Sequence, residues 1–125
     1  MSITSLLAWL WAAVALAGPP AAPVKDEIDG LLARLEASGC DVQRNGTWHN
    51  AAEAKVHMLT KLEYIERMST LKSAEQFIDL AASTSSLSGK PYMIRCAGVP
   101  PVESRSWMLA QLEALRAAAN PKRPQ

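Results

Sequence analysis

Four stretches of the chain repeat apolar residues at helical spacing. Val24, Ile28, Leu31, Leu32 and Leu35 recur at i, i+4, i+7, i+8 and i+11, which predicts a first helix with one buried stripe. Asp26, Glu27 and Asp29 fall in its expected first turn, where the helix dipole favours anions, and Gly39 is placed to end it. A second stripe is made by Ala51, Ala54, Met58, Leu62 and Ile65, with Leu59 at its margin and Asn50 and Glu53 as a capping pair at its start. Ser73 through Gln76 reads as a capping box opening a third helix, with Ala74, Phe77, Ile78 and Ala81 facing inward. A fourth helix is expected from about residue 103 to 119, with Met108, Leu109, Leu112 and Leu115 inside and Asn120-Pro121 as its stop.

Between these stripes the pattern changes period. Asn45-Gly46 supplies the two positive-φ residues of a type I′ turn, so the segment 41–49 predicts a small hairpin. The hydroxyl-rich run Ser83-Thr84-Ser85-Ser86-Leu87-Ser88-Gly89 competes with helical hydrogen bonding and ends the third helix. Tyr92 through Cys96 alternates as a short strand does, and Gly98 to Pro101 reads as a turn. The fold class expected is mainly α: a small four-helix domain with a minor β-hairpin and short strand, clamped by one disulfide.

The N-terminus has a separate character. Residues 1–17 hold 14 apolar side chains and no charge, and Ala15-Leu16-Ala17 before Gly18 is an A-x-A cleavage site, so cleavage is expected between Ala17 and Gly18. Read as a membrane anchor instead, this helix would reach only about 22 Å, short of the roughly 30 Å hydrocarbon core. The expected organisation is a signal peptide over 1–17, a flexible leader over 18–23, one domain over 24–119 and a disordered tail over 120–125. The chain is expected to be exported, and the mature form is not expected to span a membrane.

Export changes how the cysteines read. Cys40 and Cys96 are an even pair in an oxidising compartment, where a disulfide is the default. Closing the loop between them would contribute about 4 kcal/mol in the chain-entropy model. Two free buried thiols, or a redox pair, are the alternatives; the second lacks the C-x-x-C spacing that lowers a thiolate pKa.

Charge and motif narrow the chemistry. A net charge of +1 in 125 residues argues against nucleic acid as a partner. Only His49 and His57 are available as histidine ligands, and a disulfide removes the cysteines, so no metal or other cofactor is called for. There is no G-x-S-x-G elbow, and neither an S-x-x-K pair nor a phosphate loop forms around Lys90. Glu53, His57 and Lys61 share one helix row, which reads either as a solvated boundary or as the edge of a binding site. Trp48 and Trp107 read either as caps on a small core or as stacking platforms.

Several of these residues recur in a resemblance. Arg44-Asn45-Gly46, Ala54 with His57 and Lys61, the run Ala74 through Asp79, and above all the stretch Ala82 through Tyr92 resemble the YfeK-like family of small exported bacterial proteins, whose domain has no assigned function. The resemblance covers about residues 25–96 and implies a Gram-negative, periplasmic setting without implying an activity. It directs attention to polar positions: Arg44, His57, Lys61, Ser85, Ser86, Ser88, Lys90 and Tyr92, joined by Trp48 in the hairpin. If hairpin, second helix and serine-rich loop converge, these would form one cationic, hydroxyl-rich face for an unidentified protein or an anionic envelope component. The competing reading is a hydrogen-bonded network that locks loop 83–92 to the second helix and so satisfies the loop's backbone. A small envelope enzyme, with a Ser/His/Lys site assembled only in three dimensions, is the alternative function. Self-association through the last helix is a third.

Overall fold

The computed structural model describes residues 17–120. The expected signal peptide, apart from Ala17, and the tail beyond Asn120 lie outside the described residues. The elements run α1 (Ala22–Ser38), β1 (Asp41–Arg44), β2 (Thr47–His49), α2 (Ala51–Met68), α3 (Ala74–Ala81), β3 (Met93–Arg95), β4 (Val102–Glu103) and α4 (Ser104–Ala119). No helix among the described residues is long and apolar enough to cross a membrane.

The β part is larger than the sequence pattern predicts. The strands form one antiparallel sheet in the order β2-β1-β3-β4, so the described residues form four helices with a four-stranded sheet rather than a helical domain with a minor hairpin. β4 escapes sequence reading because it has two residues, too few to display alternation, directly after Pro100-Pro101. It pairs Met93 with Glu103 and Ile94 with Val102, and α4 begins only at Ser104. Asn45 (φ 49°) and Gly46 (φ 81°) make the tight β1–β2 turn, with Arg44 opposite Thr47.

α1 starts earlier than expected. Pro23 sits in its first turn, where a missing N–H costs nothing and φ is already helical, so the last two residues of the 18–23 leader are helix. That shift moves Asp26, Glu27 and Asp29 out of the first turn. Gly39 ends α1 in the left-handed region (φ 65°). Within α1, Gly30 lets α4 come close: a Cβ there would sit 3.2 Å from the Leu115 methyls.

The α2 and α3 caps form as variants of the expected boxes. Asn50 accepts from the Glu53 amide while its own amide donates to the Glu53 carboxylate. Ser73 accepts from the Gln76 amide, but the Gln76 side chain reaches back to the Lys72 amide rather than to that of Ser73.

One core lies between the helices and the sheet face that carries Val42 and Ile94. It includes Leu31 and Leu35 of α1, Met58 of α2, Phe77 and Ile78 of α3 and Met108 of α4. Strand alternation puts Asp41, Gln43, Met93 and Arg95 on the opposite face. Cys40 and Cys96 are bonded, just outside the Asp41–Arg95 pair that ends the β1–β3 ladder.

Candidate functional site

Four polar side chains meet where the sheet ends against α2. Arg44 follows Val42 by two residues and so leaves β1 on the core side of the sheet, at its rim. Tyr92 precedes Ile94 by two and points the same way, its ring buried in the core. His57 and Lys61 stand one turn apart on α2, beside the buried Met58 and Leu62.

Their contacts are specific. Lys61 Nζ donates to the Thr84 carbonyl (2.9 Å) and to Tyr92 Oη (3.1 Å). Tyr92 Oη lies 3.2 Å from His57 Nε2, with the two rings edge to face. Arg44 Nη1 lies 3.1 Å from His57 Nδ1 and 3.2 Å from Nε2. An arginine can only donate, so no neutral tautomer satisfies both of its contacts; with Nδ1 bare toward its closer approach, the proton sits on Nε2 and donates to Tyr92. Tyr92 Oη then accepts twice, and its own proton has no acceptor within the cluster.

Burial first, then the charges of Arg44, Lys61 and His49, push the His57 pKa down to about 4, so the ring is neutral near pH 7. Burial and the Arg44 charge lower the Lys61 pKa, and burial raises that of Tyr92. Among the described residues no carboxylate pairs with Arg44 or Lys61, and Arg44 Nε is buried without a partner. The cluster therefore presents hydrogen-bond donors and positive charge, with no internal anion to consume them.

The serine-rich loop is braced beside this cluster. Asn45 Nδ2 donates to Ser85 Oγ (3.1 Å), and Ser88 Oγ donates to Asn45 Oδ1 (2.6 Å). Ser85 Oγ also accepts the Leu87 and Ser88 amides. Backbone bonds from Ser85 to the Lys90 carbonyl and from Tyr92 to the Ser83 carbonyl close the loop base. The result holds Leu87 94 % exposed at the loop tip.

Of the residues the sequence singles out, Arg44, His57, Lys61 and Tyr92 come together. Ser85 and Ser88 belong to the loop brace, bonded to Asn45 of the hairpin turn rather than to α2. Ser86 and Lys90 are exposed, and their side chains make no hydrogen bond to the described residues. Trp48 is on the other face of the sheet: it pairs with Gln43, and the Arg95 guanidinium stacks 4.0 Å above its ring. Glu53 turns to His49 and Asn50 rather than to His57. Among the described residues no serine hydroxyl bonds His57 or a lysine amine; the hydroxyl at His57 is that of Tyr92. Asn45, which joins turn and loop, reads from sequence only as a turn former, and its second role needs a partner 40 residues away.

Comparison with known proteins places this geometry in a family without an assigned activity. No solved structure matches the chain. The uncharacterized protein YfeK of Salmonella typhimurium (strain LT2) is 49 % identical over 49 residues, a stretch covering 39 % of this chain and 39 % of that protein. A model described as a family of unknown function matches residues 22–116, from the first turn of α1 to the last turn of α4. The chain thus belongs to that family, DUF5329.

Proposed function

We propose that this is an exported periplasmic binding module that works without catalysis, and that Arg44, His57, Lys61 and Tyr92 form its contact with an anionic group on an envelope component or a protein partner. The observation that carries the reading is the pair of half-buried cations on one side of the domain with no carboxylate between them. Holding such cations close together costs desolvation and like-charge repulsion, and an incoming anion recovers both. His57 supports this role as a neutral spacer: it accepts from Arg44, donates to Tyr92, and adds no competing charge.

The chemistry matches binding better than turnover. The cluster has donors for an oxyanion, but the neutral ring between them is already occupied by a guanidinium and a phenol, and among the described residues no serine hydroxyl bonds it.

Titration of inorganic phosphate and of acetate into isotopically labelled protein tests the site. Saturable shifts in the His57 ring and in the amides of residues 44, 61, 84 and 92, lost in an Arg44→Ala/Lys61→Ala variant, are expected. Shifts that rise linearly and spread equally over Lys25, Lys55 and Arg105 would sink the proposal. Export is tested by the mass of the chain recovered from the periplasm, which should begin at Gly18.

A further inference from the structure

The two sulfurs of the disulfide face different surroundings. Cys40 is 3 % exposed and belongs to the core, whereas Cys96 is only partly buried and packs against the core's margin. Cys96 also lines an open cleft of about 570 Å³, together with Gly39, Arg95 and the turn that carries Gly98 and Pro100. This cleft lies beside the outer face of the sheet and shares no lining residue with the Arg44–His57–Lys61–Tyr92 cluster.

Thiol–disulfide exchange is an in-line displacement: the thiolate approaches the attacked sulfur from the side opposite the sulfur that leaves. Of the two cysteines, Cys96 lines the cleft and is only partly buried, whereas Cys40 is 3 % exposed, so Cys96 is the more accessible to an incoming thiolate. We propose that Cys96 Sγ is the exchange site of this disulfide and that the cleft admits the thiolate of a small thiol. In the step, the incoming sulfur bonds to Cys96 Sγ, the Cys40–Cys96 bond breaks, and Cys40 leaves as a thiolate that takes a proton from water. One S–S bond replaces another, so no external oxidant or reductant enters the step.

The leaving side has its own bias. Cys40 follows the C-terminus of α1, and its Sγ lies 3.8 Å from the Ser38 carbonyl oxygen. The negative end of a helix disfavours a thiolate, which makes Cys40 a reluctant leaving group and slows the opening step. Cys40 stays beside Cys96 after opening, so intramolecular reclosure makes the mixed disulfide short-lived in the native chain and lasting only when Cys40 is absent.

A brief pulse of reduced glutathione on the folded native protein, quenched with iodoacetamide and mapped by peptide mass, reads the direction of opening. Glutathione on Cys96 with carbamidomethyl on Cys40 is expected to exceed the reverse pattern by about tenfold or more. In parallel, Cys40→Ser incubated with oxidised glutathione should carry a lasting adduct at Cys96, while the Cys40 thiol of Cys96→Ser stays unmodified until denaturant is added. Equal labelling of the two sulfurs in the native protein, a preference for Cys40, or adducts that form only in denaturant would each overturn the assignment. Because the native chain carries the first readout, misfolding of either variant leaves the test intact.

Discussion

Two arginines, both partly exposed, meet opposite fates in this domain. Arg116 of α4 donates to both carboxylate oxygens of Glu27 on α1 (2.7 and 3.1 Å) and to Glu75 on α3 (2.6 Å). Its charge is consumed within the molecule, tying three helices together, and those hydrogen bonds raise its own pKa. Arg44 instead faces a neutral imidazole, with its charge felt by Lys61 on α2 and no acidic partner among the described residues. The contrast separates a guanidinium that holds the fold from one whose charge is left for something outside it.

The largest test of this contrast concerns what lies under the Arg44 cluster. Tyr92→Ala removes a ring that is 2 % exposed and is expected to cost about 3–5 kcal/mol in urea denaturation, by cavity formation. Tyr92→Phe keeps the ring and should cost only about 1 kcal/mol, while weakening the grip of Lys61 and His57. Equal costs for the two would mean that the hydroxyl, not the packing, dominates there.

Exchanging the arginines' roles is the next test. Arg116→Ala should destabilise by about 1–2 kcal/mol, since it leaves Glu27 and Glu75 facing each other without a cation. Arg44→Ala should leave stability nearly unchanged, because it relieves repulsion with Lys61, yet abolish the phosphate-induced shifts. Chemical denaturation of both variants reads the first quantity and the phosphate titration the second; a large stability loss in Arg44→Ala would erase the distinction.

Acid provides the smallest and most selective test. The unfolded chain takes up the His57 proton near pH 6.5 and the folded chain only near about 4, so acidification through that window favours unfolding and stability falls. Glu75 behaves differently: the hydrogen bond from Arg116 holds its pKa below the usual 4.5, so its contribution is present above that pH and is lost below it. Denaturation midpoints against pH should lose their upper slope in His57→Gln and their lower slope in Glu75→Gln. A His57→Gln profile parallel to the native one between pH 6.5 and 4 would remove His57 from the account.

Much of the fold is legible because it is periodic. The α2 and α3 stripes predict the buried residues, Asn45-Gly46 predicts the turn, and the cysteine pair predicts the bridge. The face of the hairpin is also readable, and it overrules the closeness of Trp48 to Arg44 in the chain. In a two-residue turn with Arg44 opposite Thr47, Trp48 must pair with Gln43, and the pleat then sends Trp48 and Arg44 to opposite faces. What sequence does not disclose is tertiary: the meeting of Arg116 with Glu27 across 89 positions, the two-residue β4, and the loop geometry that leaves Lys90 outside the cluster while drawing Ser85 and Ser88 to Asn45. None of these carries a local period.

The double duty of Asn45 has a kinetic consequence. A type I′ hairpin closes over a few residues and forms in about 1–10 μs, whereas the contacts from Asn45 to Ser85 and Ser88 span 40 and 43 positions. The turn therefore fixes the Asn45 backbone before the distant loop arrives, and the serine segment is captured on an acceptor and donor already set in place. In folding terms the hairpin is the template and loop 83–92 the late follower. Strengthening the turn should speed folding, whereas loosening the serines should chiefly hasten unfolding.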